Sequence, residues 1–294
     1  MAQSPARRRA GDLIPDYVLE HVPGYAASRD AATAERVFGG TVNAIFLIEM
    51  PSGRMIVRMH EQAGRVLGAD HAREAQLQIV AAREGVAPAV LYVDPQHRFM
   101  VMQYIPGATW AAKDFGDPER IRLLGTTLHT LHRIPPPAVS GFDLRALVHG
   151  HRQRIVAVVP TEAAALDALL RRADLALEAC RSDERQLTLI HGDLHHSNLI
   201  GRERLWLLDW EYGAVTDPLF DLGCVLAYYP QAQPHAALLL ESAGLLDSAS
   251  PAMLRHASWL YVLVSYLWHR VHRLGQPVRA DEAAIEQELL QRLQ

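Results

Sequence analysis

His191-Gly192-Asp193-Leu194-His195-His196-Ser197-Asn198 and Leu207-Leu208-Asp209-Trp210-Glu211 are the two stretches on which the reading of this chain turns. Two short apolar runs, Leu187 to Ile190 and Leu205 to Leu208, flank the first of them and read as strands. A loop thus leaves one strand carrying Asp193 and, five residues on, Asn198; a second strand delivers Asp209 at its end, followed by Glu211. Transfer of a phosphoryl group to an alcohol needs a carboxylate beside the attacking hydroxyl, and oxygen ligands that hold Mg²⁺ on the triphosphate. Asp193 suits the first task, Asn198 and Asp209 the second. His195 and His196 keep a metal-dependent hydrolase open as an alternative, since histidines near aspartates can bind zinc. Adjacent side chains on extended backbone point to opposite faces, however, so this pair is expected not to converge.

Composition narrows the setting. The chain has 294 residues, 49% hydrophobic and 21% charged, with a formal net charge of −4. That is ample for a buried core and excludes global disorder. The mild acidity carries no electrostatic footprint for nucleic acid. The apolar run Trp259 to Trp268 is far short of the ~20 residues that a membrane span needs. The Arg-rich start has no apolar stretch behind it, so no secretory signal is read and a cytoplasmic location is expected. The two cysteines, Cys180 and Cys224, cannot build a disulfide scaffold or a thiolate cage. The 29 basic residues include one lysine, Lys113, so a mechanism that needs a lysine elsewhere is excluded.

Residues 1–12, with Arg7-Arg8-Arg9, read as a frayed arm. From Arg36 the pattern is that of strands: Ala44 to Ile48, the turn Pro51-Ser52-Gly53, then Met55 to Met59. A helix over Arg73 to Arg83 follows, stopped by Gly85 and Pro88. Strands near Ala89 to Val93 and Phe99 to Tyr104 are joined by Asp94-Pro95-Gln96-His97. Beyond Pro106-Gly107 the periodicity is helical over Arg120 to Arg133, Leu144 to Val158 and Thr161 to Cys180, and again from about Leu219. The expected fold is α+β in two lobes: residues 1–104 form a small antiparallel-sheet lobe, and residues 105–294 a larger, mainly helical one. A ligand is expected where such lobes meet.

The spacing of Asp193, Asn198 and Asp209 resembles the catalytic loop and metal-binding aspartate of the protein-kinase-like fold. More closely, Leu189 to Leu222 resembles the aminoglycoside phosphotransferase and choline kinase superfamily, in which glycine precedes the aspartate, here Gly192. Asp209-Trp210-Glu211-Tyr212 is similar to the choline, ethanolamine and thiamine kinase branch. The resemblance implies a nucleotide-binding first lobe and ATP and Mg²⁺ as cofactors. It implies metal ligands at Asn198, Asp209 and Glu211, the last through a second metal or a water. It also gives Asp221 and His191 structural roles in bracing the loop. Phe38-Gly39-Gly40-Thr41-Val42-Asn43, by itself a hairpin turn, resembles the loop covering the nucleotide phosphates, so Gly39, Gly40 and Asn43 join the nucleotide site. Arg58 stands where protein kinases carry a lysine, and its planar fork suits phosphate oxygens. Glu74 on the next helix is its natural carboxylate partner. Gln103 and Ile105 lie on the segment that would offer backbone groups to adenine.

Only twelve steps separate Asp209 from Asp221, too few for the peptide platform of a protein kinase, so a small-molecule alcohol is the expected acceptor. At 100° per residue Tyr261, Ser265 and Trp268 share one helix face. With Tyr228 they could wall in a quaternary ammonium group, and core packing is the competing account. The expected activity is phosphorylation of a cationic amino alcohol of the choline, ethanolamine or thiamine type. An aminoglycoside kinase, a nucleotide-binding pseudokinase and a metal-dependent hydrolase are the alternatives.

Overall fold

The computed structural model describes residues 7–37, 43–60, 70–137, 141–274 and 280–294. They group into two units. One comprises Met1–Thr109, Leu199–Gly201 and Trp206–Gly213; the other comprises Trp110–Asn198, Arg202–Leu205 and Ala214–Gln294. The segment carrying Asp209 and Glu211 thus belongs with the N-terminal unit, although it lies a hundred residues further along the chain.

The N-terminal unit is built on a six-stranded antiparallel sheet of strands β1 (Arg8–Arg9), β2 (Thr33–Val37), β3 (Asn43–Met50), β4 (Gly53–His60), β5 (Val90–Val93) and β6 (Phe99–Gln103), ordered β1-β2-β3-β4-β6-β5. Strands β3 and β4 pair from Met50↔Gly53 to Asn43↔His60 around Pro51-Ser52. On one face Phe46, Ile48, Val57 and Phe99 pack with Ile14, Val18, Leu19 and Tyr25. Those last four come from or border three short helices, α1 (Ala10–Leu13), α2 (Asp16–Leu19) and α3 (Tyr25–Ser28). The two-residue period of a strand sends Arg58 to the face opposite Val57. Helix α4 (His71–Arg83) covers that face: its Glu74 pairs with Arg58, and its Gln78, one turn on, donates to Met102 Sδ at 3.0 Å. Asp70 caps α4 by accepting the Arg73 N–H at 3.0 Å, and Gly85, at φ 71°, ends it.

Residues 7–12 correct the expectation of a frayed arm. Arg8 and Arg9 pair with Ala34 and Thr33, Ala10 is buried, and Arg7 forms ion pairs with Glu35 and Glu49. An otherwise open sheet edge gains a partner strand, and the arginines meet carboxylates of β2 and β3. Residues 1–6 lie outside the described residues.

The turn between β5 and β6 is organised by Asp94, which accepts the Gln96 and Arg98 N–H groups at 3.2 and 3.0 Å and the Arg98 guanidinium at 2.9 and 2.7 Å. The hydrogen bonds from Arg98 lower its pKa to about 2 against the opposing effect of burial. This group therefore stabilises the fold fully above its ordinary carboxylate pKa, and the contribution is lost as pH falls through about 2. Asp94→Ala is expected to cost roughly 1–3 kcal/mol, because it removes the acceptor of two part-buried N–H groups and the partner of the Arg98 guanidinium. Urea unfolding at neutral pH checks this, and the gap between variant and wild type should close as pH approaches 2.

The second unit is helical: α5 (Pro118–His132), α6 (Leu144–Val158), α7 (Ala163–Cys180), α8 (Leu219–Tyr228), α9 (Ala236–Ser242), α10 (Pro251–His272) and α11 (Ala280–Leu293). Residues 219 and 221–227 of α8 are buried, which makes it the central helix. Helix α10 crosses α8 at Gly223, where an added Cβ would lie 2.7 Å from the Ala257 carbonyl carbon. Strand β7 (Thr188–Ile190) pairs antiparallel with Ala214–Thr216 in a two-stranded sheet, which fixes the start of the Asp193 loop. Among the described residues no helix is long and apolar enough to cross a membrane.

Candidate active site

The loop after β7 is held from below by one carboxylate. Asp221, fully buried in the first turn of α8, accepts the His191 N–H at 3.0 Å and the Gly192 N–H at 2.8 Å. His132 Nε2 of α5 lies 2.9 Å from the same carboxylate. Gly192 has φ 79°, a left-handed conformation that glycine adopts without steric cost. His191, also fully buried, accepts the Asp193 N–H on Nδ1 at 3.3 Å, and Cys224 Sγ accepts the Leu194 N–H at 3.2 Å. The tight turn that follows, His196–Asn198, is a 3₁₀ helix.

That turn returns Asn198 onto Asp193. Asn198 Nδ2 donates to Asp193 Oδ2 and to its backbone oxygen, both at 3.0 Å, which leaves the amide oxygen as the ligand atom for a cation. Asp193 Oδ1 accepts the Tyr228 hydroxyl at 2.9 Å and the Tyr261 hydroxyl at 3.3 Å. Burial, then the neighbouring Asp193 charge, raises the pKa of the Tyr228 phenol; burial raises that of Tyr261 as well. Both phenols are therefore donors at neutral pH.

Tyr228 and Tyr261 also line a cavity of about 210 Å³ in the same unit, together with Ser265, His269, Glu288 and Arg292. Trp268 is not in its lining. It stacks on His272, with centroids 4.8 Å apart. The wheel places Trp268 about 20° from Tyr261, but on the side away from Val262, Ser265 and His269, the other residues of α10 that line the cavity.

The 3₁₀ turn also corrects the expectation for the two histidines. Because the backbone there is not extended, their rings meet, with centroids 4.0 Å apart. Each is engaged locally: His195 Nδ1 with Ser197 Oγ at 2.9 Å, His196 Nδ1 with the Tyr229 hydroxyl at 2.9 Å. Burial, followed by His196, lowers the pKa of His195. Among the described residues neither histidine belongs to a group of three donors close enough to share a metal.

In the N-terminal unit the buried Arg58 guanidinium faces three carboxylates. It pairs with Glu74, lies 3.0 Å from Asp209 Oδ1 and 3.6 Å from Glu211 Oε2. Burial opposes its charge, but Asp209, Glu74 and Glu211 outweigh that effect and raise its pKa. Glu74 is in turn backed by His71 at 3.4 Å; His71 stacks on His60 with centroids 3.7 Å apart, and His60 Nδ1 meets Asn43 Oδ1 at 3.0 Å. Asp209 has φ 65°, in the left-handed region that few residues with side chains adopt and that Asp tolerates better than most. The Trp210 indole, donating to Leu207 O at 3.1 Å, anchors the turn around it. Asp209 and Glu211, two residues apart beside Arg58, present carboxylate oxygens, the donor type that suits a hard cation such as Mg²⁺.

Gln103 ends β6, with its side chain accepting the Ala89 N–H at 3.3 Å, and Ile105 is buried. Gly39 and Gly40 lie outside the described residues. His132 and Cys224 support the loop but carry no sequence signal: each sits in an apolar helical pattern, far along the chain from what it touches.

An antiparallel sheet unit and a mainly helical unit that carries the Asp193-to-Asn198 loop are the parts of a protein-kinase-like fold. The model of the phosphotransferase enzyme family matches residues 33–259, and the chain belongs to that family. It is a small-molecule phosphotransferase. No curated protein matches the sequence. Among solved structures it is similar to a choline/ethanolamine kinase family protein from Mesorhizobium loti, with TM-score 0.75 and 25% identity over 94% of this chain and 91% of that one. It is also similar to the choline kinase LicA from Streptococcus pneumoniae, with TM-score 0.72 and 17% identity over 88% and 92%. A spectinomycin phosphotransferase in complex with ADP and spectinomycin is similar at TM-score 0.57 and 14% identity over 89% and 92%.

Proposed function

We propose that this phosphotransferase moves the terminal phosphoryl group of ATP to the hydroxyl of a small cationic amino alcohol of the choline, ethanolamine or thiamine type. The observation that carries the reading is the cavity beside Asp193. Its Tyr228 and Tyr261 supply two aromatic rings, the group that binds an ammonium through its π-face, while Glu288 and Arg292 in the same lining balance each other's charge. Its volume of about 210 Å³ lies below the range usual for drug-sized ligands, which favours a compact acceptor over an aminoglycoside. The choline/ethanolamine kinase family protein, the most alike of the three in fold, supports the same choice.

In this reading Asp193 accepts the acceptor's proton, and Asn198 holds the Asp193 carboxylate in place. Arg58, fixed by Glu74, contacts the phosphates, and the loop of Gly39, Gly40 and Asn43 covers them. The backbone of Gln103 to Ile105 meets adenine. Asp209 and Glu211 of the N-terminal unit, and Asn198 of the other, would be the ligands for Mg²⁺, which would screen the negative charge of the phosphates.

ADP release measured over a panel of choline, ethanolamine, thiamine, kanamycin, spectinomycin and uncharged sugars tests the acceptor. The expected result is the largest kcat/KM for one of the first three. Preference for an aminoglycoside or a sugar would overturn the acceptor class and leave the phosphotransferase intact.

A further inference from the structure

Both oxygens of the Asp193 carboxylate already hold donors of the protein itself. Oδ2 takes the Asn198 amide at 3.0 Å, and Oδ1 takes the Tyr228 hydroxyl at 2.9 Å, with Tyr261 at 3.3 Å. A phenol has one proton to give. That of Tyr261 has a second acceptor within reach, Gly192 O at 3.2 Å, whereas Tyr228 makes its short contact with Asp193. An acceptor alcohol must donate to this same carboxylate, and one that approaches Oδ1 from the cavity lined by Tyr228 and Tyr261 competes there with the Tyr228 hydroxyl.

We propose that Tyr228 is a placeholder: its hydroxyl caps Asp193 Oδ1 until an acceptor displaces it, and so keeps the base from activating water. The inference rests on the reading of Asp193 as the general base. The two tyrosines differ in a way that selects Tyr228. It is the last residue of α8 and 38% exposed, and its ring meets His195 and Tyr261 edge-on, with centroids 5.3 and 5.4 Å away. Tyr261 lies in the middle of the 22-residue α10 and is braced by Gly192 O. The first can swing from a helix end; the second is held.

The reaction suppressed is hydrolysis of ATP. A water proton would pass to Asp193, and the water oxygen would bond to the terminal phosphorus. The bond from that phosphorus to the bridging oxygen would break, with the electron pair leaving on ADP, and inorganic phosphate would be released. Capping the base costs nothing in the productive reaction once the acceptor's own hydroxyl takes the same position.

The test is Tyr228→Phe, which keeps the ring and removes the hydroxyl, assayed for phosphate release from Mg²⁺·ATP with no acceptor present. Hydrolysis is expected to rise about tenfold over wild type. An unchanged or lower rate of hydrolysis overturns the proposal and makes Tyr228 an ordinary wall of the cavity. Adding Asp193→Asn to Tyr228→Phe separates this from failure of the underlying reading. If Asp193 is the base, the excess hydrolysis disappears in the double variant. If the excess persists there, the water is activated by another group and the placeholder account fails with it. A normal acceptor-dependent turnover by Asp193→Asn alone would instead remove the base assignment, whatever Tyr228→Phe shows.

Discussion

Asp193→Asn should lower kcat by about 10²–10⁴ while leaving nucleotide affinity close to that of the wild type. The substitution preserves shape, and the Tyr228, Tyr261 and Asn198 side chains that surround the carboxylate can still bond an amide. What it removes is the capacity to accept the acceptor's proton. Steady-state ADP release paired with a nucleotide-binding titration reads the two quantities separately. Asp209→Asn should differ by weakening Mg²⁺-dependent nucleotide binding as well, since Asp209 lies in the carboxylate cluster around Arg58. Turnover by purified Asp193→Asn within a few-fold of wild type would refute the assignment.

The largest loss of stability is expected at Arg58. Arg58→Leu takes away the guanidinium that faces Glu74, and Glu74 is itself 2% exposed. An ion pair broken on one side leaves an uncompensated buried charge, which costs about 3–5 kcal/mol. Arg58→Leu combined with Glu74→Leu removes the orphaned carboxylate and should recover most of that loss, because Asp209 and Glu211 keep more access to water. Turnover should stay low in both variants, since both lack the cation proposed above to contact the phosphates. Urea unfolding and ADP release together give the answer. A single variant within about 1 kcal/mol of wild type, or a double variant less stable than the single, contradicts this account of the clamp.

The pairing of Arg58 with Glu74 was expected from the family resemblance, which puts a cation on that strand and a carboxylate on the next helix, and the structure brings the two together. The Asp-to-Asn loop was legible in its spacing: five residues of chain can bring Asn198 back on Asp193 without help from elsewhere. Trp268 marks the limit. Which residues share a helix face can be counted, but which part of that face meets a cavity is decided by the element packed against it, here the helix that carries Ile285, Glu288 and Arg292. The arm at residues 7–12 failed from the other side, since Arg8 and Arg9 carry no strand signal and are recruited by an open edge that forms elsewhere.

The sequence by itself determined the chemistry: Asp193, Asn198, Asp209 and Glu211 in their spacing, a lone lysine out of place, and Arg58 in its stead. These are properties of residue type and of separations short enough for the backbone to enforce. Only the tertiary structure decided that Asp221 and His132 support the loop from helices far away in the chain, and that two phenols converge on one carboxylate oxygen. It also decided that Asp209 takes a left-handed backbone. Those facts depend on how buried helices and strands pack, and packing sums many weak contacts that no short stretch of sequence contains.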